Sequence, residues 1–268
     1  MANRPKKLLI ASAVGLALVA AGATYFMSGS DSSQTFEGAS LTPSKNTSES
    51  LPKFASFTDV KEKKAAFFNY LKPMVEKENA RILAVRAVVS SLKSKSSLSE
   101  KESAFLAEVA KKYKLDEVTD WTPKAFDSLL TRVDKVPVSL TLAQAANESA
   151  WGTSRFAREA NNLFGQWCFT AGCGVVPNAR DAGKTHEVAK FSSVQGSVNA
   201  YIYNLNVSNA YAQLRDIRKS LRAKGETVTG MALANGLEKY SERGHEYVEE
   251  IQAMIRVNKL AEFDVVAQ

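Results

Sequence analysis

LAQAANESAWGTSRFAREANNLFG, Leu142 to Gly165, is the stretch on which the reading of the fold turns. Its first part is a good helix former, with alanines, a glutamine and few β-branched side chains. One carboxylate, Glu148, stands among small and apolar residues, and Trp151-Gly152 follows closely. Gly152 is placed to stop the helix, so Glu148 falls in its last turn. That end of a helix carries partial negative charge, and a neighbouring indole excludes water. Both effects disfavour the carboxylate and raise the pKa. A glutamate kept protonated near neutrality suits proton donation to the leaving oxygen of a glycosidic bond. An ordinary surface glutamate sits better at a helix start.

Working outward, the region from Phe57 to Val136 is helical in pattern. Thr58 is placed to cap a long helix whose apolar stripe includes Val60, Phe67, Leu71, Met74, Ile82 and Val85. Ser99 and Glu102 have the spacing of a capping box. Thr122 precedes Pro123, a cap followed by the favoured first helical residue. Pro137 opens the helix that carries Glu148. A short helix over Ser154–Ala160 ends in NNLFG. GVVPNARDAGKTHEVAKF, Gly174 to Phe191, combines turn residues with a strand-like run and predicts a small hairpin or β-lobe. Helix returns in SSVQGSVNAYIYNLN, then in TGMALANGLEKY and HEYVEEIQAMIRVNKL, which SERG separates.

The N-terminus reads MANRPKKLLIASAVGLALVAAGATYFM. A basic tail precedes an apolar run, Leu8 to Met27, long enough to span a bilayer. Ala21-Gly22-Ala23 also fits a small-x-small cleavage site, so the run reads as a retained anchor or a cleaved signal peptide. Either reading exports the remainder and leaves Arg4, Lys6 and Lys7 inside. The Ser/Thr-rich chain that follows reads as a flexible tether. Cys168 and Cys173, close together in an exported chain, predict a disulfide, and His186 and His245 are too few to complete a metal site. The chain's 35 basic and 28 acidic residues give +7, of which the N-terminal tail supplies three, leaving +4. No dense basic run with interleaved aromatics is present, which argues against nucleic acid as a partner. Trp167, beside the cysteine loop, is placed to be exposed at a cleft. Tyr201 and Tyr203 face opposite sides of their helix, so one of them belongs to the core.

LAQAANESAWGTSRFAREANNLFG resembles the signature of the glucosaminidase domains of bacterial cell-wall hydrolases, glycoside hydrolase family 73. CGVVP, HEVAKFSSVQGSVNAYIYNLN, AYAQLR and YSERGHEYVEEI extend the resemblance over roughly Val136 to Leu260. The resemblance implies that Glu148, in the E-S-x-W-G-x-S pattern, is the general acid. It implies that Asn162, Leu163, Phe164 and Gly165 shape the cleft floor, and that Tyr240 lines the sugar site. Members often hold a second carboxylate in the β-lobe, for which Asp181 and Glu187 are the candidates, Glu187 favoured by its strand-like run.

The expected fold is mostly helical α+β, a lysozyme-like domain with a small β-lobe, preceded by helices and an N-terminal membrane segment. Its expected parts are 1–27 anchor or signal, 28–56 linker, 57–135 helical support and 136–268 glucosaminidase domain. The expected activity is endo-β-N-acetylglucosaminidase cleavage of the β-1,4 bond after N-acetylglucosamine in peptidoglycan. The alternatives are a lytic transglycosylase and a tethered glycan-binding or scaffold protein. Expected catalytic residues are Glu148 and Glu187. Expected sugar-contacting residues are Trp151, Asn162, Phe164, Trp167, Tyr201 and Tyr240. No metal or cofactor is expected. The expected setting is a monomer in the Gram-negative cell envelope, facing the periplasm and acting on glycan strands.

Overall fold

The computed structural model describes residues 35–45, 50–178, 180 and 183–264. The segment expected to be an anchor or signal, 1–27, and Asp181 lie outside the described residues. Among the described residues, no helix is long and apolar enough to cross a membrane.

A two-stranded hairpin, β1 (Thr35–Phe36) and β2 (Ala39–Ser40), opens the described chain. Glu37 and Gly38 both have positive φ, as a tight two-residue hairpin turn requires. Phe36, Ala39 and Leu41 are buried, and Phe36 stacks on Phe105 with ring centroids 4.8 Å apart. Phe54, in the 3-10 turn Phe54–Ser56, is also buried. The linker expected over 28–56 is therefore folded onto the body over its described part. A few apolar side chains suffice to anchor a polar segment when a helix already offers the surface for them to bury against.

The long helix α1 (Val60–Lys93) runs 34 residues and is capped by Asp59, not Thr58, whose carboxylate accepts the Glu62 amide at 2.7 Å. Its buried stripe, Phe67, Leu71, Val75, Ile82, Val85 and Val89, follows helical spacing. Helix α2 (Glu100–Lys112) starts at the Ser99–Glu102 capping box, and α3 (Pro123–Arg132) at Thr122 and Pro123. Then come α4 (Val138–Glu148), α5 (Arg155–Ala160) and three short strands, β3 (Trp167–Cys168), β4 (Gly174–Val175) and β5 (Glu187–Ala189). The strands form an antiparallel sheet in the order β3-β5-β4, with Trp167 opposite Val188 and Gly174 opposite Ala189. Helices α6 (Val194–Val207), α7 (Ala212–Ala223), α8 (Gly230–Leu233) and α9 (His245–Val257) complete the body. The result is a mostly helical α+β architecture.

Helix α4 is its centre. Every residue from Val138 to Ala146 is buried, and α4 packs against α1, α8, α9 and the 3-10 turn Leu260–Phe263. Its buried polar side chains are therefore partnered. Ser139 donates through Oγ to Asp264 Oδ2 at 2.5 Å and through its amide to Oδ1 at 3.0 Å, while Thr141 donates to the Pro137 carbonyl. Asn79 of α1 brackets Val136 by donating to its carbonyl at 2.7 Å and accepting its amide at 3.1 Å. This contact sets where α4 begins. One hydrophobic core spans both sides of residue 136, so the helices over 57–135 share the core of the segment that follows and do not form one of their own.

Candidate active site

Glu148 is the last residue of α4, with Ser149 as the C-cap. The helix stops earlier than Gly152 alone would dictate: Ala150, Trp151 and Gly152 all adopt positive φ. Ser149 holds this turn, donating through Oγ to the Ala145 carbonyl at 2.6 Å and accepting the Gly152 amide at 2.8 Å. Glycine is required at 152 on two grounds, its φ of +73° and a Cβ position 2.5 Å from Phe54 Cδ2. The folded segment around residue 54 thus packs directly under the turn that presents the acid.

The Glu148 carboxyl is half-buried. Tyr247, on α9, donates its hydroxyl to Glu148 Oε1 at 2.7 Å. Burial pushes the carboxyl above the ordinary glutamate value; the Tyr247 hydroxyl and the Asn147 amide pull it back, Glu250 pushes up and Arg243 down. The net direction is upward, as the position at a helix C-terminus leads one to expect. On the other side, a Cβ at Gly165, which has φ +64°, would lie 3.7 Å from Glu148 Oε2. The NLFG turn thus approaches the acid with bare backbone.

Around this pair the aromatic residues form a buried support. Phe164 stacks on Tyr201 with centroids 4.1 Å apart, and Tyr240 on Tyr247 at 5.4 Å. The Tyr240 hydroxyl donates to the Phe164 carbonyl at 2.8 Å. Burial drives the pKa values of Tyr201, Tyr240 and Tyr247 well above that of a free phenol, so all three stay neutral hydroxyls.

These positions change several expected roles. Phe164, Tyr201 and Tyr240 are buried and act behind the acid, their faces and hydroxyls already engaged, instead of contacting sugar. Asn162 is buried with its amide used in full: Nδ2 donates to the Gln166 and Ala189 carbonyls, and Oδ1 accepts the Phe164 and Gln166 amides. It fixes the turn between α5 and β3 and has no side-chain group left over for a further partner. Trp151 packs edge-on to Phe67 and Phe68 of α1, with Lys64 Nζ 4.9 Å above its ring. It ties the turn to α1 and is no open stacking platform. Trp167 also keeps a partly exposed place, on β3, with His186 stacked on it at 4.0 Å.

In the lobe, Cys168 and Cys173 are joined as a disulfide. Glu187 does not stand free as a base. Its Oε1 accepts the Gly172 amide at 3.0 Å and its Oε2 the Gly174 amide at 2.8 Å. Those two N–H groups hold its pKa below the ordinary glutamate value, which makes it a weaker base. The amides of Gly172 and Gly174 need acceptors, and Glu187, which opens β5 opposite Cys168, supplies both.

Sequence reasoning passes over Tyr247, which the structure brings to Glu148, and Gln144, whose Nε2 donates to the Tyr247 hydroxyl. Gln144 lies one helical turn before Glu148, and that spacing was the available signal. Tyr247 is 99 residues away in the chain, so only the packing of α9 against α4 reveals it.

Over residues 123–260 the chain matches the family described as Glucosaminidase, mannosyl-glycoprotein endo-beta-N-acetylglucosaminidase. It is 36% identical over 212 residues to Protein bax of Escherichia coli (strain K12), covering 79% of this chain and 76% of that protein. Among solved structures it is similar to a chain in a type VI secretion system effector-immunity complex from Pseudomonas protegens. That match is 20% identical and covers 64% of this chain and 94% of the other, with a TM-score of 0.24, a value that carries no argument.

Proposed function

The chain belongs to the glucosaminidase family, and from that premise we propose that it is a peptidoglycan hydrolase cleaving the β-1,4 bond after N-acetylglucosamine. The observation that carries the reading is Glu148, half-buried at the C-terminus of a buried helix, with its pKa raised and a tyrosine hydroxyl on one oxygen. Glu148 protonates the leaving glycosidic oxygen as the bond breaks toward an oxocarbenium-like transition state. With both Glu187 oxygens engaged by backbone amides, the partner for that cation is a lobe-held water or the substrate's own acetamido oxygen. Trp167 offers the glycan a partly exposed aromatic face. The enzyme is placed in the Gram-negative envelope as a monomer, anchored through 8–27 or released by cleavage, and works on periplasmic glycan strands.

One acid, with the Glu187 oxygens both engaged, also suits a lytic transglycosylase, in which the muramoyl 6-hydroxyl takes the place of water. Digestion of purified sacculi followed by mass spectrometry separates the readings. Hydrolysis leaves a reducing-end N-acetylglucosamine, and a transglycosylase leaves an anhydro-sugar end. Glu148→Gln should lose the 10²–10⁴-fold typical of a missing general acid. Wild-type digestion by that variant would remove Glu148 from the chemistry, and retained glycan binding with no turnover in the wild type would leave a scaffold.

A further inference from the structure

Tyr201, Gln144, Tyr247 and Glu148 form one chain of hydrogen bonds from the core to the acid. The Tyr201 hydroxyl donates to Gln144 Oε1 at 2.5 Å, Gln144 Nε2 donates to the Tyr247 hydroxyl at 2.9 Å, and that hydroxyl donates to Glu148 Oε1 at 2.7 Å. Each member has a limited inventory: a primary amide donates only from nitrogen, and a hydroxyl has a single proton. Tyr247 receives from Gln144, so its own proton goes to Glu148. Tyr201, Gln144 and Tyr247 are each 1% exposed or less, so water does not compete for these groups. Packing keeps the rings in place, with Tyr201 against Phe164 and Tyr247 against Tyr240.

We propose that Gln144 and Tyr247 are positioning residues that reserve Glu148 Oε1 as an acceptor and so place the transferable proton on Oε2, the oxygen that faces Gly165. The proposal rests on the reading of Glu148 as the acid and adds which oxygen delivers the proton and what decides it. An oxygen that accepts a hydrogen bond from Tyr247 does not offer that lone pair to a proton of its own. Oε2 is the oxygen beside the bare backbone of Gly165, where a leaving oxygen can approach.

The polarity has a measurable sign. A donor to the carboxylate favours the ionised form and lowers the pKa; a group accepting from the protonated acid does the reverse. Relay polarity as drawn therefore means that Tyr247 restrains the upward push of burial. The other groups acting on the carboxyl are the Asn147 amide on α4, Glu250 on α9 and Arg243 just before α9, and none of them changes in the variants below.

The test is Tyr247→Phe, which keeps the ring and removes the hydroxyl, with thermal unfolding to confirm the fold. In the full-length chain, the Glu148 carboxyl ¹³C resonance, identified by its loss in Glu148→Gln, should titrate about one pH unit higher. The basic limb of sacculus digestion should move up by the same amount, since the acid must be protonated to act. Gln144→Met, which leaves Tyr247 in place but unanchored, should shift the resonance in the same direction by less. No shift, or a downward one, in Tyr247→Phe would overturn the proposal, the downward one by showing that Glu148 donates from Oε1. The titration needs no turnover, so failure of the glycosidase reading, seen as full digestion by Glu148→Gln, is a separate outcome.

Discussion

The Gly174 amide donates to Glu187 Oε2 at 2.8 Å. With the matching bond from Gly172, it ties the disulfide loop to the central strand of the lobe and occupies both oxygens of the Glu187 carboxyl. Glu187→Gln should therefore loosen the lobe without removing a reacting group. Its sacculus digestion should fall on the order of tenfold, against 10²–10⁴-fold for the missing acid in Glu148→Gln. Equal losses in the two variants would return Glu187 to the chemistry.

The Cys168–Cys173 disulfide lies against the same carboxylate, its sulfur atoms and the Glu187 oxygen within 4.8 Å of one another. It closes a small loop, so the chain-entropy estimate for its removal is about 2 kcal/mol. The paired variant Cys168→Ser/Cys173→Ser should lower stability by that amount in denaturant titration, with hydrogen exchange of the Gly172 and Gly174 amides speeding up. Unchanged exchange there would show that the loop holds its shape without the bond.

Glu148 should make the protein less stable at neutral pH. Its folded pKa is raised, by burial first, so no stability is lost below the ordinary glutamate value of about 4.3. As pH rises from there, the unfolded chain ionises first while the folded one keeps its proton, and stability falls until the folded pKa is passed. Glu148→Gln lacks this term and can still accept the Tyr247 hydroxyl. Its melting temperature should exceed that of the wild type at pH 7 and match it at pH 4. A variant less stable at both values would contradict the assignment.

Asp134 holds a separate structural cluster just past the end of α3. Arg222 binds it through Nε and Nη2 at 2.5 Å each, with Arg86 and Arg218 alongside. Arg218, nearly inaccessible, also donates to the Thr131 and Lys135 carbonyls at 2.9 Å, satisfying the C-terminal end of that helix. Asp134→Ala would strand a buried guanidinium, at a cost of about 3–5 kcal/mol, read by chemical denaturation. Burial alone would raise the Asp134 pKa, but the Arg222 hydrogen bonds and the arginine charges bring it below the ordinary value. Its contribution is present above about pH 3.9 and is lost as pH falls through the folded pKa. Acid unfolding should accordingly be less steep in the variant.

Local physics was legible in the residues themselves. Ser99 with Glu102, Thr122 with Pro123, and the position of Glu148 in a last turn each depend on neighbours a few residues away, and the structure has them so. The Cys168–Cys173 pairing is equally short-range. Helix α7 escaped the reading although its buried face is regular, because much of that face is Arg215 and Arg218, charged residues that pattern analysis assigns to solvent.

What the sequence alone determined is the set of helices with capped starts, the disulfide and the single acid at a helix end, since each follows from interactions within one or two turns. Only the tertiary structure decided which aromatic rings face inward, that the described part of the Ser/Thr-rich segment folds onto the helical body, and that Glu187 serves backbone amides. It also decided that Tyr247 meets Glu148 and that Gln144 holds the Tyr247 hydroxyl. Phe164, Tyr201, Tyr240 and Trp151 read the same on either face of an element, and their side is settled by which partner surface excludes more water. The proton's place on Glu148 is likewise a tertiary property, because it depends on a hydrogen-bond direction passed between residues far apart in the chain and fixed by burial.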